Sequence, residues 1–205
     1  MGNKTMKIGM ITEGGPQSSD LKVCENFARQ LNPNIDILSI PLGNKRDLID
    51  NCGTTASLLI EQGCDLVLII WDLYPAWREK GQKPCRQKDR EEIQISLQNA
   101  NVKVLPHNVY LICIEAELEE WLLYDISALS SVLSTPTHPV NIRNKPKGGT
   151  NPKKVLNKLF KENTGRIYNH LYDAEKIANK ISNLNKLKNC PSFARFALKI
   201  TGKNL

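Results

Sequence analysis

Two carboxylates stand where apolar runs end. Glu13 follows Lys7-Ile8-Gly9-Met10-Ile11-Thr12 and precedes Gly14-Gly15, while Asp72 closes Asp65-Leu66-Val67-Leu68-Ile69-Ile70-Trp71. In open parallel sheets, ligands bind beyond the carboxyl ends of the strands. Two acids delivered there by separate strands supply the hard oxygen ligands that Mg²⁺ or Mn²⁺ takes together with a phosphate substrate. Taken singly, each has a plainer reading, Glu13 as a charge at a helix terminus and Asp72 as a turn residue. Their pairing, each after its own apolar run, points to a site.

The elements that must carry these acids follow from periodicity and punctuation. Residues 6–12 read as a buried strand, short and rich in Ile and Met. A helix over 20–31, capped by Ser18 or Ser19, carries Leu21, Val23, Cys24, Phe27, Ala28 and Leu31 on its apolar side. A second strand covers 35–40, with Pro41 closing it, and a helix over 45–62 is expected to break near Gly53. The third strand is 65–71. An irregular loop from Leu73 to Pro84 then leads to a helix over 86–99, and loops of that length are commonly functional. Residues 102–105 and 109–114 read as strand material around a Pro106-His107-Asn108 turn, and a helix opens at Glu115. After an extended loop over 134–150, helices are expected over 152–161, 173–183 and part of 192–201, the first opening on Asn151-Pro152. Such alternation predicts an α/β fold with a mainly parallel sheet of four to five strands, right-handed crossovers and helices on both faces. Residues 1–133 form the expected core, and 134–205 a basic loop and helical extension packing on it.

The charge is unevenly placed. The 205 residues hold 28 Lys+Arg and 21 Asp+Glu, a net charge of +7. From residue 141 onward the count is 15 basic to 3 acidic, leaving 13 to 18 before it. An acidic first part and a basic second part suit a metal-holding site beside an arm that attracts polyanions. Zinc is not expected. The six cysteines include no Cys-x-x-Cys pair, and His107, His138 and His170 are the only histidines. The thiols read as reduced and mostly buried. There is no P-loop, no G-x-G-x-x-G and no Ser-His-Asp signature. The longest apolar run, Leu66–Trp71, is too short to span a bilayer, and the N-terminus lacks the order of a secretory signal. A cytoplasmic location is the expectation.

Thr12-Glu13-Gly14 and Asp72 together resemble the glutamate–glycine and Asp-x-Asp marks of the TOPRIM fold. Glu117-Leu118-Glu119-Glu120-Trp121-Leu122-Leu123-Tyr124-Asp125, Asn151-Pro152-Lys153-Lys154 and Cys190-Pro191-Ser192-Phe193 are similar to segments of small bacterial TOPRIM-like proteins related to OLD-type nucleases. The resemblance implies a Rossmann-like fold and a metal-dependent nuclease, in an antiviral defence setting with a partner ATPase. One departure stands out: Tyr74 occupies the place of the second aspartate of Asp-x-Asp. Either another acid completes the site, with Glu119, Glu117 and Asp89 as candidates, or metal affinity has been lost.

Catalytic and metal-holding roles are therefore expected of Glu13, Asp72 and Glu119. Arg78, Lys83 and Arg86, in and after the loop that follows Asp72, and Lys145, Lys147, Lys153 and Lys154, around a Gly-rich turn and a helix start, are the expected phosphate and nucleic-acid contacts. Arg143 flanks the same turn. Tyr74 and Trp77 offer faces for stacking on bases, although packing suits Trp77 better. The alternative is a catalytically degenerate module that binds nucleic acid, a nucleotide or a partner ATPase. A phosphohydrolase acting on small molecules is the third reading.

Overall fold

The computed structural model describes residues 5–75, 83–102, 108–147, 149 and 151–204. Its sheet contains β1 (Met6–Thr12), β2 (Ile35–Pro41), β3 (Leu66–Asp72) and β4 (Val109–Ile114), all parallel, in the order β2-β1-β3-β4. From β1 the chain moves outward through α1 (Ser19–Leu31) to β2. It then returns past β1 through α2 (Lys45–Glu61) to β3. The direction of travel reverses between β1 and β3, which places their carboxyl ends at the topological switch point, where doubly wound sheets bind ligands. Glu13 and Asp72 stand at those two ends.

Side-chain alternation divides the sheet between two cores. Even-numbered Ile8, Met10, Leu68, Ile70, Ile112 and Ile114 join Val23 and Phe27 of α1 and the C-terminal helices in one cluster. Odd-numbered Ile11, Val67, Ile69, Trp71 and Cys113 face α2 and α3 (Arg86–Asn99) in the other. Strand periodicity of two fixes this division, so Thr12 and Asp72 fall on the α1 face. The chain is thus a Rossmann-like α/β fold with helices on both faces of a four-stranded parallel sheet.

After β4 come α4 (Glu119–Leu122), α5 (Ile126–Leu133), α6 (Pro152–Thr164), α7 (His170–Lys180), a 3₁₀ turn at Leu184–Leu187 and α8 (Pro191–Thr201). Trp121 anchors α4. Its ring centroid lies 5.2 Å from Phe193, nearly edge-on, and its indole N–H donates to Ser192 Oγ at 2.8 Å. Phe27 meets Phe193 at 5.6 Å, so α1, α4 and α8 share one aromatic junction. Phe160 and Ile177 bring α6 and α7 into the same cluster. All six cysteines are free, and all but Cys85 are buried.

Several helix limits differ from the sequence expectation, α6 running on to Thr164 and α7 stopping at Lys180 among them. The helix α7 opens at His170 rather than 173, because the Asn169 side chain accepts from Leu171 N and caps it there. Regular helix after β4 waits until Glu119. The break expected at Gly53 does not occur, and α2 runs through it. That glycine serves close packing, since a Cβ there would lie 2.0 Å from the Ser96 carbonyl oxygen of α3. The strand material expected at 103–105 and most of the 106–108 turn lie outside the described residues.

Alanine normally stabilises a helix interior over glycine by about 1 kcal/mol. At Gly53 the clash wins, and overpacking of this kind costs ~1–3 kcal/mol. Urea denaturation of Gly53→Ala should therefore show a lower midpoint than the native chain, and a higher midpoint would contradict the packing described.

Candidate functional site

Glu13 leaves the end of β1 on a turn that only glycine can make. Gly14 has φ +87°, and a Cβ on it would lie 2.6 Å from Ser18 Cβ. The amide of Gly14 donates to Gly43 O at 3.1 Å and that of Gly43 to Gly14 O at 2.7 Å, locking the loop after β1 to the loop after β2. Beyond the turn, Ser18 caps α1 and aims the helix N-terminus, with Asp20 in its first turn, back at the strand ends.

Glu13 and Asp72 are tied directly: the Asp72 amide donates to Glu13 Oε1 at 3.0 Å. Both line a cavity of about 10 Å³ that is also bordered by Thr12, Asp20, Cys24, Ile114 and Leu118. That volume admits a single water-sized group. Thr12 Oγ1, on a residue only 1% exposed, lines the same space and has no hydrogen-bond partner among the described residues.

Burial pushes the Glu13 carboxyl up to about 7, against the Lys45 ammonium and the Asp72 amide, with Asp20 and Asp89 adding to the rise. Burial, followed by the Glu119 charge, raises Asp20 to about 6, opposed chiefly by Lys153. Asp72 is held well above the usual carboxylate range, first by burial and then by Asp20, Glu13 and Glu119, and the Leu118 amide offsets part of this. These acids share too little positive charge. Such perturbed, mutually repelling groups cluster at functional sites.

The expected site residues separate by place. Glu13 and Asp72 meet in the cavity, and the third carboxylate lining it is Asp20, not Glu119. Glu119 lies behind, 5% exposed, with Oε1 accepting from the Tyr168 hydroxyl at 3.4 Å. Glu117 Oε2 accepts the Lys153 amide at 3.2 Å, fastening the N-terminus of α6 beside the acids. The Lys153 charge is felt by Asp20, Glu117 and Glu119. Lys154 is exposed on the same first turn, and Lys83 and Lys147 are exposed as well. Arg86 pairs instead with Glu115 at 3.4 Å, along the β4 edge. Lys145 lies over the Tyr124 ring, 2.9 Å from its centroid. Arg78 and Trp77 lie outside the described residues.

Lys45 joins the site although sequence reasoning passed it over. Only 5% exposed, it opens α2 and donates from Nζ to Leu73 O at 2.9 Å and Pro75 O at 2.8 Å, holding the chain that leaves Asp72. A lysine in a first helical turn ordinarily reads as solvated, so only its place after a βα loop at the switch point could have marked it. The same logic applies to Asp20.

Among the described residues, no group of three or more His, Cys, Asp or Glu side chains stands in an arrangement that could hold a metal ion by itself. The donor chemistry nevertheless suits Mg²⁺ or Mn²⁺. Two strand-end carboxylates and an unpartnered hydroxyl face one small cavity, and magnesium takes one or two carboxylates with waters and substrate phosphate.

A Rossmann-like α/β domain with an acidic cluster at its switch point is the class that fold and site define. Residues 23–201 match the model of the family described as Domain of unknown function (DUF4276), and the chain belongs to that family. The matched stretch takes in Asp72, Glu119 and Lys153 and begins after β1. No curated protein matches the chain. Among the described residues, no helix is long and apolar enough to cross a membrane.

The raised position of Asp72 fixes the sign of a stability test. A carboxyl raised from its ordinary 3.8 gives stability that is present below that value and lost as pH rises through the native one. Asp72→Asn, which keeps an acceptor for the Leu118 amide, should melt higher than the native chain at about pH 8 in chelator, with the gap closing toward acid pH. Differential scanning calorimetry across that range checks it. A variant that melts lower at the alkaline end would contradict the repulsion described.

Proposed function

We propose that the chain is a metal-dependent phosphoryl-transfer enzyme acting on nucleic acid, a nuclease. The observation that carries this reading is the shared cavity of Glu13 and Asp72, linked by the 3.0 Å hydrogen bond and faced by the unpartnered Thr12 hydroxyl. Mg²⁺ or Mn²⁺, held by Glu13 and Asp72, would supply Lewis-acid polarisation of a phosphodiester and an activated water.

The chain's own groups divide the remaining work. The Lys153 and Lys154 side chains, on the first turn of α6, draw a phosphate toward the acids. Without a cation Glu13, raised to about 7, changes protonation near neutral pH, so cation uptake there would displace a proton. Lys45 holds the exit of β3 in place and offsets part of the charge on Glu13. Glu119, shielded behind the cavity, raises Asp20 and Asp72 and so acts as a positioning charge.

A second reading, a binding module without turnover, draws on Tyr74 at the place of the second aspartate of the TOPRIM mark. Purified native chain, incubated with labelled oligonucleotides and Mg²⁺ or Mn²⁺, separates the two. Cleavage that requires the cation and falls by about 10² or more in Glu13→Gln and Asp72→Asn is the expected result. Lys153→Ala should act mainly on KM. Binding without turnover under either cation would overturn the enzyme reading in favour of the module.

A further inference from the structure

On the far side of β4 from the acids lies a cavity of about 350 Å³ between α3 and α8. Its walls carry two pairs of cations at helical i, i+4 spacing: Arg86 and Arg90 on α3, Arg195 and Lys199 on α8. Within a pair the residues are about 6 Å apart along the helix axis and on one face. No acidic side chain among the described residues lines the cavity. Glu115, just beyond β4, takes Arg86 at 3.4 Å and Arg195 at 3.0 Å at the upper end. Arg90 and Lys199 form no ion pair among the described residues, and Lys199 lies 4.2 Å above the Tyr110 ring. Arg195 Nε is buried without a hydrogen-bond partner among the described residues.

We infer that this groove is a second nucleic-acid contact, holding a single-stranded segment of the substrate by its phosphates as the strand leaves the acidic cavity. The inference rests on the nucleic-acid reading of that cavity. Continuity supports it. Asp72 pairs in register with Ile114, two residues beyond Ile112, the last β4 residue lining the groove, so about 6–7 Å along the strand and one strand spacing of about 4.8 Å separate them. The floor includes Val109, Leu111 and Leu198, apolar surface of the kind base faces cover, while the charges stand on the walls. An acidic peptide added as a fifth strand fits less well. Arg195 Nη2 already donates to Cys113 O at 3.1 Å, occupying a carbonyl on the free edge of β4 that such a strand would need.

The test is fluorescence anisotropy of a labelled single-stranded oligonucleotide with the full chain in chelator, where binding is read without cleavage. Arg90→Glu/Lys199→Glu should bind about tenfold more weakly, and the slope of log affinity against log salt should fall by about 1.4, two phosphates at ~0.7 each. The milder Arg90→Gln/Lys199→Gln stands in if the reversal does not fold, and should show the same change of slope. Unchanged affinity and slope in a folded variant would overturn the groove, as would absence of oligonucleotide binding by the native chain. Tighter binding of a poly-acidic peptide than of the oligonucleotide would overturn it in favour of strand addition. The two proposals fail separately. A native chain that binds through these residues but never cleaves keeps the groove and loses the enzyme; one whose cleavage ignores them does the reverse.

Discussion

Enclosing several carboxylates at one end of a sheet with few countercharges is the constraint on which the rest of this structure turns. Burial raises the proton affinity of Glu13, Asp20, Asp72 and Glu119; Asp20 adds to the rise at Glu13, Glu119 to that at Asp20, and all three to that at Asp72. In water such groups would spread apart. Here the strand register, the glycine turn at Gly14 and the amide of Asp72 leave Glu13 no route away from its neighbour. A fold that holds like charges together pays in stability, and it keeps such an arrangement where a cation or a proton is to be taken up.

Several parts of the architecture converge on that end. Lys45 fastens the chain leaving β3, and the Leu118 amide meets Asp72 from the other side. Leu118 is in place because Trp121, three residues on, is locked among Phe27, Phe193 and Phe196. The aromatic core is thus the support for a polar site about one helical turn away. The α6 N-terminus is brought in by the Glu117 carboxylate, which accepts the Lys153 amide. Basic residues of the second part of the chain thereby face acids of the first.

What could be read from the chain follows the strength of local signals. The strands were legible because Ile, Val, Leu and Met runs end at Gly, Pro or an acid, and Glu13 and Asp72 were legible because they close two of those runs. Asp20 and Lys45 were not. Each sits in a first helical turn, where an acid or a lysine is usually solvated, and only the three-dimensional return of α1 and α2 to the switch point buries them. Glu119 is one of three acids the sequence offers in place of the missing second aspartate, and only the fold shows its carboxylate against the Tyr168 hydroxyl. Gly53 reads as a helix breaker in one dimension and as a contact surface in three. Arg90, Arg195 and Lys199 carry no local signal at all, because the groove they form joins helices about a hundred residues apart in sequence.

The proposed cation is the element on which the functional account stands, and it can be seen directly. Crystals of the native chain soaked in Mn²⁺ should give an anomalous difference peak inside the cavity bounded by Thr12, Glu13, Asp20 and Asp72. Ligand distances of about 2.0–2.3 Å to the Glu13 and Asp72 carboxylates would complete the result the account predicts. A cavity without a peak at saturating manganese, or a peak that none of these side chains touches, would contradict it.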